Sequence, residues 1–261
     1  MSDAVIEVEG LAKSFGGVPA VSGLTFSVIR GSTTALLGAN GAGKTTTLSM
    51  LLGLLLPSSG RIRVLGEDML RHRYRVLPRM NFTSPYVDLP HRLTVAQNLI
   101  VYGRLYGIRN IKARVARIAD ELGIASLLKR PTGNLSAGQK TRVALAKSLL
   151  NEPEVLLMDE PTASLDPESA ETIRAYLMAY QRRTGATILL ASHNMAEVER
   201  ICNDVIMLRA GRLVDRGQPA ELIARHGRST LEEFFLAIAR NEDDLAPDEA
   251  AERESRQKAA P

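Results

Sequence analysis

The sequence predicts an α/β protein with a mostly parallel sheet. Short apolar runs that end in polar or glycine-rich loops alternate with segments in which apolar residues recur at helical spacing. Three of these runs, at residues 33–37, 155–158 and 187–191, are typical of buried strands. Strand–helix alternation of this kind implies a parallel sheet covered by helices.

Shorter signals complete the predicted order of elements. Residues 5–8 alternate apolar and charged side chains, which predicts a half-exposed strand. Further strands are predicted at residues 24–29, 61–65, 205–209 and 212–217, the last two joined by a turn at Ala210-Gly211. Helices are predicted at residues 44–54, 95–106, 115–122, 136–150, 169–183, 196–202 and over most of 219–240.

These elements fit a single domain over residues 1–240. Helical spacing dominates from about residue 80 to residue 135, and we place a helical insert at about residues 85–150. Residues 219–240 form a C-terminal helical extension. Residues 241–261 are charged and poor in large apolar side chains, so we expect them to be disordered or loosely helical.

Composition sets limits on the class of protein. The chain has 261 residues, 45% hydrophobic and 24% charged, which is typical of a globular domain. Its net charge of +4 is compatible with phosphate ligands, a cytoplasmic membrane face, nucleic acid or a scatter of solvated side chains. One cysteine, Cys202, excludes an internal disulfide. No secretory signal is expected, and the longest apolar block, residues 50–56, is far too short for a membrane-spanning helix.

A glycine-rich loop lies between a predicted strand and a predicted helix. It reads Gly38-Ala39-Asn40-Gly41-Ala42-Gly43-Lys44-Thr45, with Thr46 next, and matches the phosphate-loop pattern of nucleoside triphosphatases. Glycines let backbone N–H groups surround a phosphate, and the helix start favours an anion. Lys44 is expected to neutralise the β- and γ-phosphates and Thr45 to bind Mg²⁺. A glycine turn that happens to precede Lys44 is the simpler alternative, which this context disfavours.

Two acidic residues, Asp159 and Glu160, end the predicted strand at residues 155–158. A buried strand would hold Asp159 rigidly beside Mg²⁺, and Glu160 would polarise the attacking water. An acidic pair at a strand end is common by itself. Together with a phosphate loop, it predicts ATP hydrolysis.

A second helix start has the properties of an anion site. It reads Leu135-Ser136-Ala137-Gly138-Gln139, with Ser136 as a typical N-cap and Gly138 permitting close approach to an anion. This run resembles the signature motif of ABC ATPases, with alanine in place of the more usual glycine. The resemblance implies an ABC-type ATPase core with an N-terminal antiparallel β portion and an inserted helical subdomain. It also implies that Ser136, Ala137, Gly138 and Gln139 contact ATP held by a second subunit.

Three further positions are similar to those of the same family, and the resemblance covers about residues 5–217. Ser164-Leu165-Asp166 resembles the loop at the dimer interface, which makes Asp166 a candidate nucleotide contact. His193 stands where the family has its switch histidine, and Phe15 where an aromatic residue stacks on adenine. Taken alone, His193 would be structural and Phe15 a core residue at a strand end.

One departure from the family is visible at the entrance to the helical insert. Alignment through Leu93-Thr94-Val95 places Pro85 where the family usually has a glutamine. Proline has no side-chain donor or acceptor. We hypothesise that Ser84 or Asn81 makes the polar contact instead; the alternative is a loop that couples mechanically without one.

Residues 94–107 and 231–235 resemble the ATP-binding subunits of the ABC-2 exporter group, although Leu231, Phe234 and Phe235 are equally typical of a helix packed on its own domain. The resemblance implies ATP and Mg²⁺ as cofactors, with Lys44, Glu160 and His193 as catalytic residues. The implied partners are a second ATPase subunit, in a homodimer, and an integral membrane permease of the ABC-2 type, with no nucleic acid. The implied location is the cytoplasmic face of the membrane. The alternative is a soluble ABC ATPase such as an iron–sulfur assembly factor.

Overall fold

The strands form two sheets in the computed structural model, which describes residues 3–84 and 88–239. The strands are β1 (Ala4–Phe15), β2 (Val18–Ile29), β3 (Thr33–Leu37), β4 (Ser59–Val64), β5 (Glu67–Asp68), β6 (Met80–Thr83), β7 (Val155–Asp159), β8 (Thr187–Ala191), β9 (Asp204–Arg209) and β10 (Arg212–Gly217). The helices are α1 (Lys44–Leu51), α2 (Met69–Val76), α3 (Val95–Leu105), α4 (Ile111–Glu121), α5 (Ala137–Ser148), α6 (Pro167–Thr184), α7 (Met195–Ile201), α8 (Pro219–Arg225) and α9 (Leu231–Ala239). Short 3₁₀ turns lie at Leu77–Arg79, Ala125–Leu127 and Thr132–Asn134.

The larger sheet has six strands in the order β10-β9-β3-β8-β7-β6. Its pairs are parallel except for the β9–β10 hairpin, which confirms the predicted fold class. The predicted start of the helical segment, at about residue 80, is wrong. Residues 80–83 pair with β7 as an edge strand, so the helical segment begins after them and not at residue 80. The short β6 run is too brief for periodicity to separate strand from helix.

Alternation along the parallel strands divides the core between two layers. In β3, Ala35 and Leu37 pack against the helices, whereas Leu36 faces the smaller sheet. In β7, Leu156 and Met158 likewise face the helices. Because successive strand residues point to opposite faces, these strands must be apolar on both sides. The loops at their carboxyl ends therefore project from a rigid, fully buried sheet.

The smaller sheet is antiparallel, in the order β2-β1-β4-β5. Strands β1 and β2 are longer than predicted, and Gly10 sits at an irregularity inside β1. Its φ is +56°, and the pairing register shifts between Val8 and Leu11. Glycine adopts this left-handed backbone without strain, so the strand continues past it.

The helical segment after residue 88 begins with α3. Thr94 caps this helix in a capping box with Gln97. Helices α3 to α5 bury apolar side chains against the same layer that covers β7 and β8. Helix α9 also joins this layer, since Leu231 and Phe234 are fully buried and Phe235 packs against it. The interpretation of these residues as a helix packed on its own domain is therefore correct.

Within residues 3–84 and 88–239, none of the helices has both the length and the apolar character needed to cross a bilayer. The segment predicted to be disordered or loosely helical, residues 241–261, lies outside the described residues, as does Pro85.

Candidate functional site

The phosphate loop follows β3 directly and leads into α1. Gly43 starts this helix with φ +98°, and no side chain caps it, so the helix start is open to a ligand. A Cβ on Gly43 would lie 2.7 Å from the carbonyl oxygen of Ala20, and one on Gly38 would lie 2.5 Å from that of Leu208. Both contacts are with backbone atoms, so glycine is required at these two positions by packing as well as by conformation.

Lys44 is buried within this loop. Its Nζ donates to the carbonyl oxygens of Gly38, at 2.6 Å, and Ala39, at 3.1 Å. Burial lowers the pKa of Lys44, while the carboxylates of Glu160 and Asp159 raise it. The ammonium group therefore has an incomplete set of partners in a partly desolvated place, which favours exchange of the carbonyls for a stronger anion.

Thr45 and Asp159 meet at the edge of the sheet. The Thr45 hydroxyl donates to Asp159 Oδ2 over 3.1 Å. Asp159 is the last residue of β7 and is buried; burial raises its pKa, and the hydrogen bond from Thr45 opposes that shift. A hydroxyl and a carboxylate are the oxygen donors that Mg²⁺ accepts, usually together with waters and phosphates. The pair therefore fits a magnesium ion shared with a nucleotide.

Glu160 and His193 form a second pair beside the first. His193 Nδ1 lies 2.6 Å from Glu160 Oε1. The backbone of Glu160 is left-handed, with φ +49°, which costs about 1–3 kcal/mol in a residue other than glycine. Its N–H donates to the carbonyl of Ala191, at 2.8 Å, and this bond stabilises the turn that the chain makes after β7. The turn directs the Glu160 side chain away from the strand and towards His193.

The signature residues begin α5. Ser136 Oγ accepts from the Gln139 N–H, at 3.3 Å, and Gln139 Oε1 accepts from the Ser136 N–H, at 3.1 Å. This capping box confirms Ser136 as the N-cap. A Cβ on Gly138 would meet Leu165 Cδ2 at 3.4 Å, which is ordinary contact. Contacts within one chain therefore do not require glycine at this position, in contrast to Gly38 and Gly43.

Asp166 lies next to the signature helix but is engaged in a cap. It precedes α6 and accepts from the Ser169 N–H, at 2.9 Å; hydrogen bonds from Ser169 lower its pKa. The neighbouring Leu165 packs near Gly138. The Ser164-Leu165-Asp166 loop and the signature helix thus form one continuous surface of the chain.

Phe15 is 51% exposed at the end of β1, so it is not a core residue. Lys13 Nζ lies 5.2 Å from the centre of its ring. The β1–β2 hairpin reaches the phosphate loop through Ala20, which contacts Gly43. An exposed aromatic ring near a phosphate loop can stack on a base.

Asn81 and Ser84, the two substitutes considered for the missing glutamine, differ in their surroundings. Asn81 is engaged elsewhere. Its Nδ2 donates to Asn151 Oδ1, at 2.8 Å, and its Oδ1 accepts from the Phe82 N–H. These bonds favour Ser84 over Asn81 as the residue that makes the polar contact, which stays a prediction. Ser84 is buried and lines a cavity of about 130 Å³ together with Asp159 and Glu160.

Some residues around the site were not singled out from the sequence. Glu197 in α7 is buried and accepts hydrogen bonds from Thr162 and Ser192. Ile238 and Ala239, at the end of α9, line a cavity of about 310 Å³ with phosphate-loop residues 39–42. Neither feature has a local sequence signal, because both depend on how distant helices pack.

Thr45 and Asp159 are the candidate metal ligands among the described residues. Within the described ranges no cluster of three or more His, Cys, Asp or Glu side chains could hold a metal by itself. The remaining predicted nucleotide contacts follow the loop in sequence: Ala39, Asn40, Gly41 and Ala42 lie within it, and Thr46 in the first turn of α1.

The chain resembles known proteins over most of its length. Residues 21–163 match the family described as ABC transporter. Two proteins called Nod factor export ATP-binding protein I are each 39% identical to it. The one from Ralstonia nicotianae aligns with 85% of this chain and 70% of its own length, and the one from Paraburkholderia xenovorans with 95% and 82%.

Solved structures agree with these similarities. A structure described as the ATP-binding subunit of an ABC transporter has a TM-score of 0.81 at 26% identity, covering 90% of this chain and 99% of its own. The structure of cbiO1 from Clostridium perfringens, part of the ABC transporter complex cbiONQ, has a TM-score of 0.76 at 31% identity, covering 97% and 100%.

This chain therefore belongs to the ATP-binding subunits of ABC transporters, a family that binds ATP and couples its hydrolysis to transport. The alternative of a soluble iron–sulfur assembly ATPase gains no support from these similarities.

Proposed function

We propose that this ABC subunit drives an exporter. Two copies would close head to tail around two ATP molecules, beneath an integral membrane permease of the ABC-2 type, on the cytoplasmic face of the membrane. The observation that carries the proposal is the presence of two helix starts suited to an anion in one chain. Lys44, Thr45, Asp159, Glu160 and His193 form what we call the catalytic edge around the first. Ser136 begins the second, and the adjacent Ala137 lines a cavity with Asp159 and Glu160.

The phosphate loop binds the triphosphate in this proposal. The uncapped start of α1 offers backbone N–H groups and the positive end of the helix dipole. Lys44 exchanges the carbonyls of Gly38 and Ala39 for the β- and γ-phosphate oxygens. Phe15 stacks on the adenine ring, which its 51% exposure allows.

Thr45 and Asp159 are the residues that would hold Mg²⁺. When bound with ATP, the ion supplies charge neutralisation at the β- and γ-phosphates. The chain's part is to keep both oxygens in place: Thr45 at the start of α1 and Asp159 at the end of a fully buried strand. Such rigid elements position a site better than free loops do.

Glu160 orients and polarises the attacking water. Its side-chain oxygen accepts the water proton, or a hydrogen bond from that water, as bond formation to the γ-phosphorus begins. His193 holds the carboxylate through the 2.6 Å contact and its exposed ring reaches towards the γ-phosphate. The strained backbone of Glu160 fixes the direction of its side chain before ATP arrives.

Residues 136–139 and Asp166 act on the nucleotide of the partner copy. Gly138 supports this role, because packing within one chain leaves room for a side chain there. A site that must admit a phosphate of another subunit would require the glycine instead. Closure of two identical copies around a twofold axis completes both sites together, and hydrolysis removes the anion that bridges them.

Ser84 supports coupling to the permease at the position affected by Pro85. It lines the same cavity as Asp159 and Glu160, on the side of the helical segment that follows. We expect Ser84→Ala to lower permease-stimulated ATP turnover severalfold while ATP binding is retained. Equal stimulation of the Ser84→Ala and wild-type complexes would favour a loop that couples mechanically.

The exporter role and the ABC-2 class of permease rest on the relatives named for Nod factor export. Their names describe those proteins, and the substrate of this chain is set by its permease. Co-purification with a candidate permease in membranes, followed by a screen for compounds that stimulate ATP turnover, tests this part. A chain that hydrolyses ATP at the same rate with and without any such permease would contradict it.

The central test is Glu160→Gln. Glutamine keeps the shape of the side chain but is a poor proton acceptor, so ATP binds and turnover falls at least a hundredfold. The variant should elute as a dimer with ATP, whereas the wild-type chain should elute as a monomer after hydrolysis. A monomeric Glu160→Gln chain with normal turnover would exclude the proposed role.

A further inference from the structure

A buried carboxylate lies behind the catalytic edge. Glu197, in α7, is 1% exposed. Its Oε1 accepts from the Thr162 hydroxyl, at 2.9 Å, and its Oε2 accepts from the Ser192 hydroxyl, at 2.9 Å. Both hydroxyls are themselves buried.

These two hydroxyls belong to different loops. Thr162 lies two residues after Glu160, and Ser192 immediately precedes His193. Ser192 Oγ also accepts from the Asn194 N–H, at 3.1 Å, while Asn194 Oδ1 accepts from the N–H of Glu197, at 3.1 Å. The carboxylate therefore joins Ser192, on one side of His193, to the loop that carries Glu160, while the backbone N–H of Glu197 holds Asn194 on the other side.

The arrangement is costly if it serves stability alone. Burial raises the pKa of Glu197, because desolvation disfavours the charged form, although the bonds from Thr162 and Ser192 act in the opposite direction. Burial of an ionised carboxylate is unfavourable unless hydrogen bonds compensate its lost hydration. A role in holding two loops at a fixed separation explains a charged acceptor for two hydroxyl donors.

We propose that Glu197 is a positioning residue for ATP hydrolysis: its carboxylate clamps the Thr162 loop to the Ser192 loop and so sets the contact between Glu160 and His193. This inference rests on the proposed roles of Glu160 and His193. Displacement of a catalytic group by about 1 Å can lower a rate by about a hundredfold, so a clamp of this kind acts on turnover more than on binding.

Glu197→Gln in the full-length chain tests the clamp. Glutamine fills the same volume but accepts through one atom only, so one of the two hydroxyls loses its acceptor. We expect kcat for ATP to fall about tenfold to a hundredfold, with KM and the Kd for ATP unchanged. Thr162→Val and Ser192→Ala should each lower kcat by a smaller factor, and in the Glu197→Gln background only the one that removes the remaining hydroxyl–oxygen bond should lower it further.

A matched control separates positioning from stability. Ser148 is a buried serine whose hydroxyl donates to the Leu145 carbonyl in α5, at 2.8 Å, away from both loops. Ser148→Ala removes one buried hydrogen bond, and Ser192→Ala removes the bonds to Glu197 and from the Asn194 N–H, so both should lower Tm, but Ser148→Ala should keep the wild-type kcat. A kcat that follows Tm across all these variants would overturn the proposal.

Combination with Glu160→Gln distinguishes this inference from the proposed function. If Glu160→Gln is inactive and Glu197→Gln turns over within twofold of wild type, the clamp is wrong and the role of Glu160 stands. If Glu160→Gln itself turns over normally, both fail. If the double variant hydrolyses ATP no more slowly than Glu160→Gln alone, Glu197 acts through Glu160, as proposed.

Discussion

The catalytic edge and the signature segment, residues 136–139, differ in how far one chain determines their geometry. In the catalytic edge, each predicted side chain has a partner in the same chain: Lys44 with loop carbonyls, Thr45 with Asp159, and Glu160 with His193. The signature segment is a capped helix start whose glycine no neighbour requires. Contacts within the chain explain the first region, and under the proposed function a partner copy explains the second.

Two glycines give the sharpest test of this difference. Gly38→Ala places a Cβ 2.5 Å from a backbone oxygen, so we expect a loss of about 1–3 kcal/mol in unfolding free energy and weak ATP binding. Gly138→Ala meets only ordinary contacts, so Tm and ATP binding by the single chain should be unchanged. Its turnover should fall about a hundredfold, because the methyl group obstructs the partner's phosphate.

Thermal unfolding, an ATP-binding titration and a turnover assay on both glycine variants check this prediction. Loss of stability in Gly138→Ala comparable to that in Gly38→Ala would show that the signature segment, too, is determined within one chain.

Two capping boxes give a smaller and better matched comparison. Ser136 with Gln139 begins α5, and Thr94 with Gln97 begins α3. Ser136→Ala and Thr94→Ala should each cost about 1 kcal/mol, as N-cap losses usually do. Only Ser136→Ala should also lower turnover, by about tenfold, because in the proposed dimer its hydroxyl contacts the partner's nucleotide. Equal turnover in the two variants at matched folded fraction would contradict that role.

The smallest expected effect concerns Asp159 in the nucleotide-free chain. Burial raises its pKa above the ordinary value of 3.8, so the folded chain takes up this proton at a higher pH than the unfolded chain. Above the folded pKa the buried charge is unfavourable, and Asp159→Asn should stabilise the empty protein by on the order of 1 kcal/mol, or about 2–4 °C in Tm.

The pH dependence of that difference has a definite sign. As the pH falls through the folded pKa towards 3.8, wild type gains stability relative to Asp159→Asn, and the gap closes. Calorimetry between pH 7 and pH 4 measures it. A constant or widening gap would mean that Lys44 and Thr45 fully compensate the buried carboxylate.

Much of the fold follows from local patterns in the sequence. The phosphate loop, the strand before Asp159 and the cap at Ser136 were all predicted, because each combines a motif with a strand or helix of the right length. The turn at Ala210-Gly211 was also predicted, and both residues have the positive φ that such hairpins need.

Other features depend on contacts that a local pattern does not show. Helix α2 was missed because its residues are mostly basic or exposed, with Met69 and Val76 as its buried anchors. Glu197 and Glu199 look alike in the sequence, yet long-range packing buries only the first of them. The catalytic roles of Glu160 and His193 remain predictions, since a 2.6 Å contact describes an arrangement and not a rate.

The end of α9 is a suitable place for a fluorescent label that reports nucleotide binding. Ala239 is exposed and shares a cavity with residues 39–42 of the phosphate loop. A small fluorophore on a cysteine placed at Ala239 would therefore lie beside the nucleotide pocket, while the native Cys202 is buried and should resist labelling. Such a probe would convert nucleotide arrival and departure into an optical signal from the intact complex.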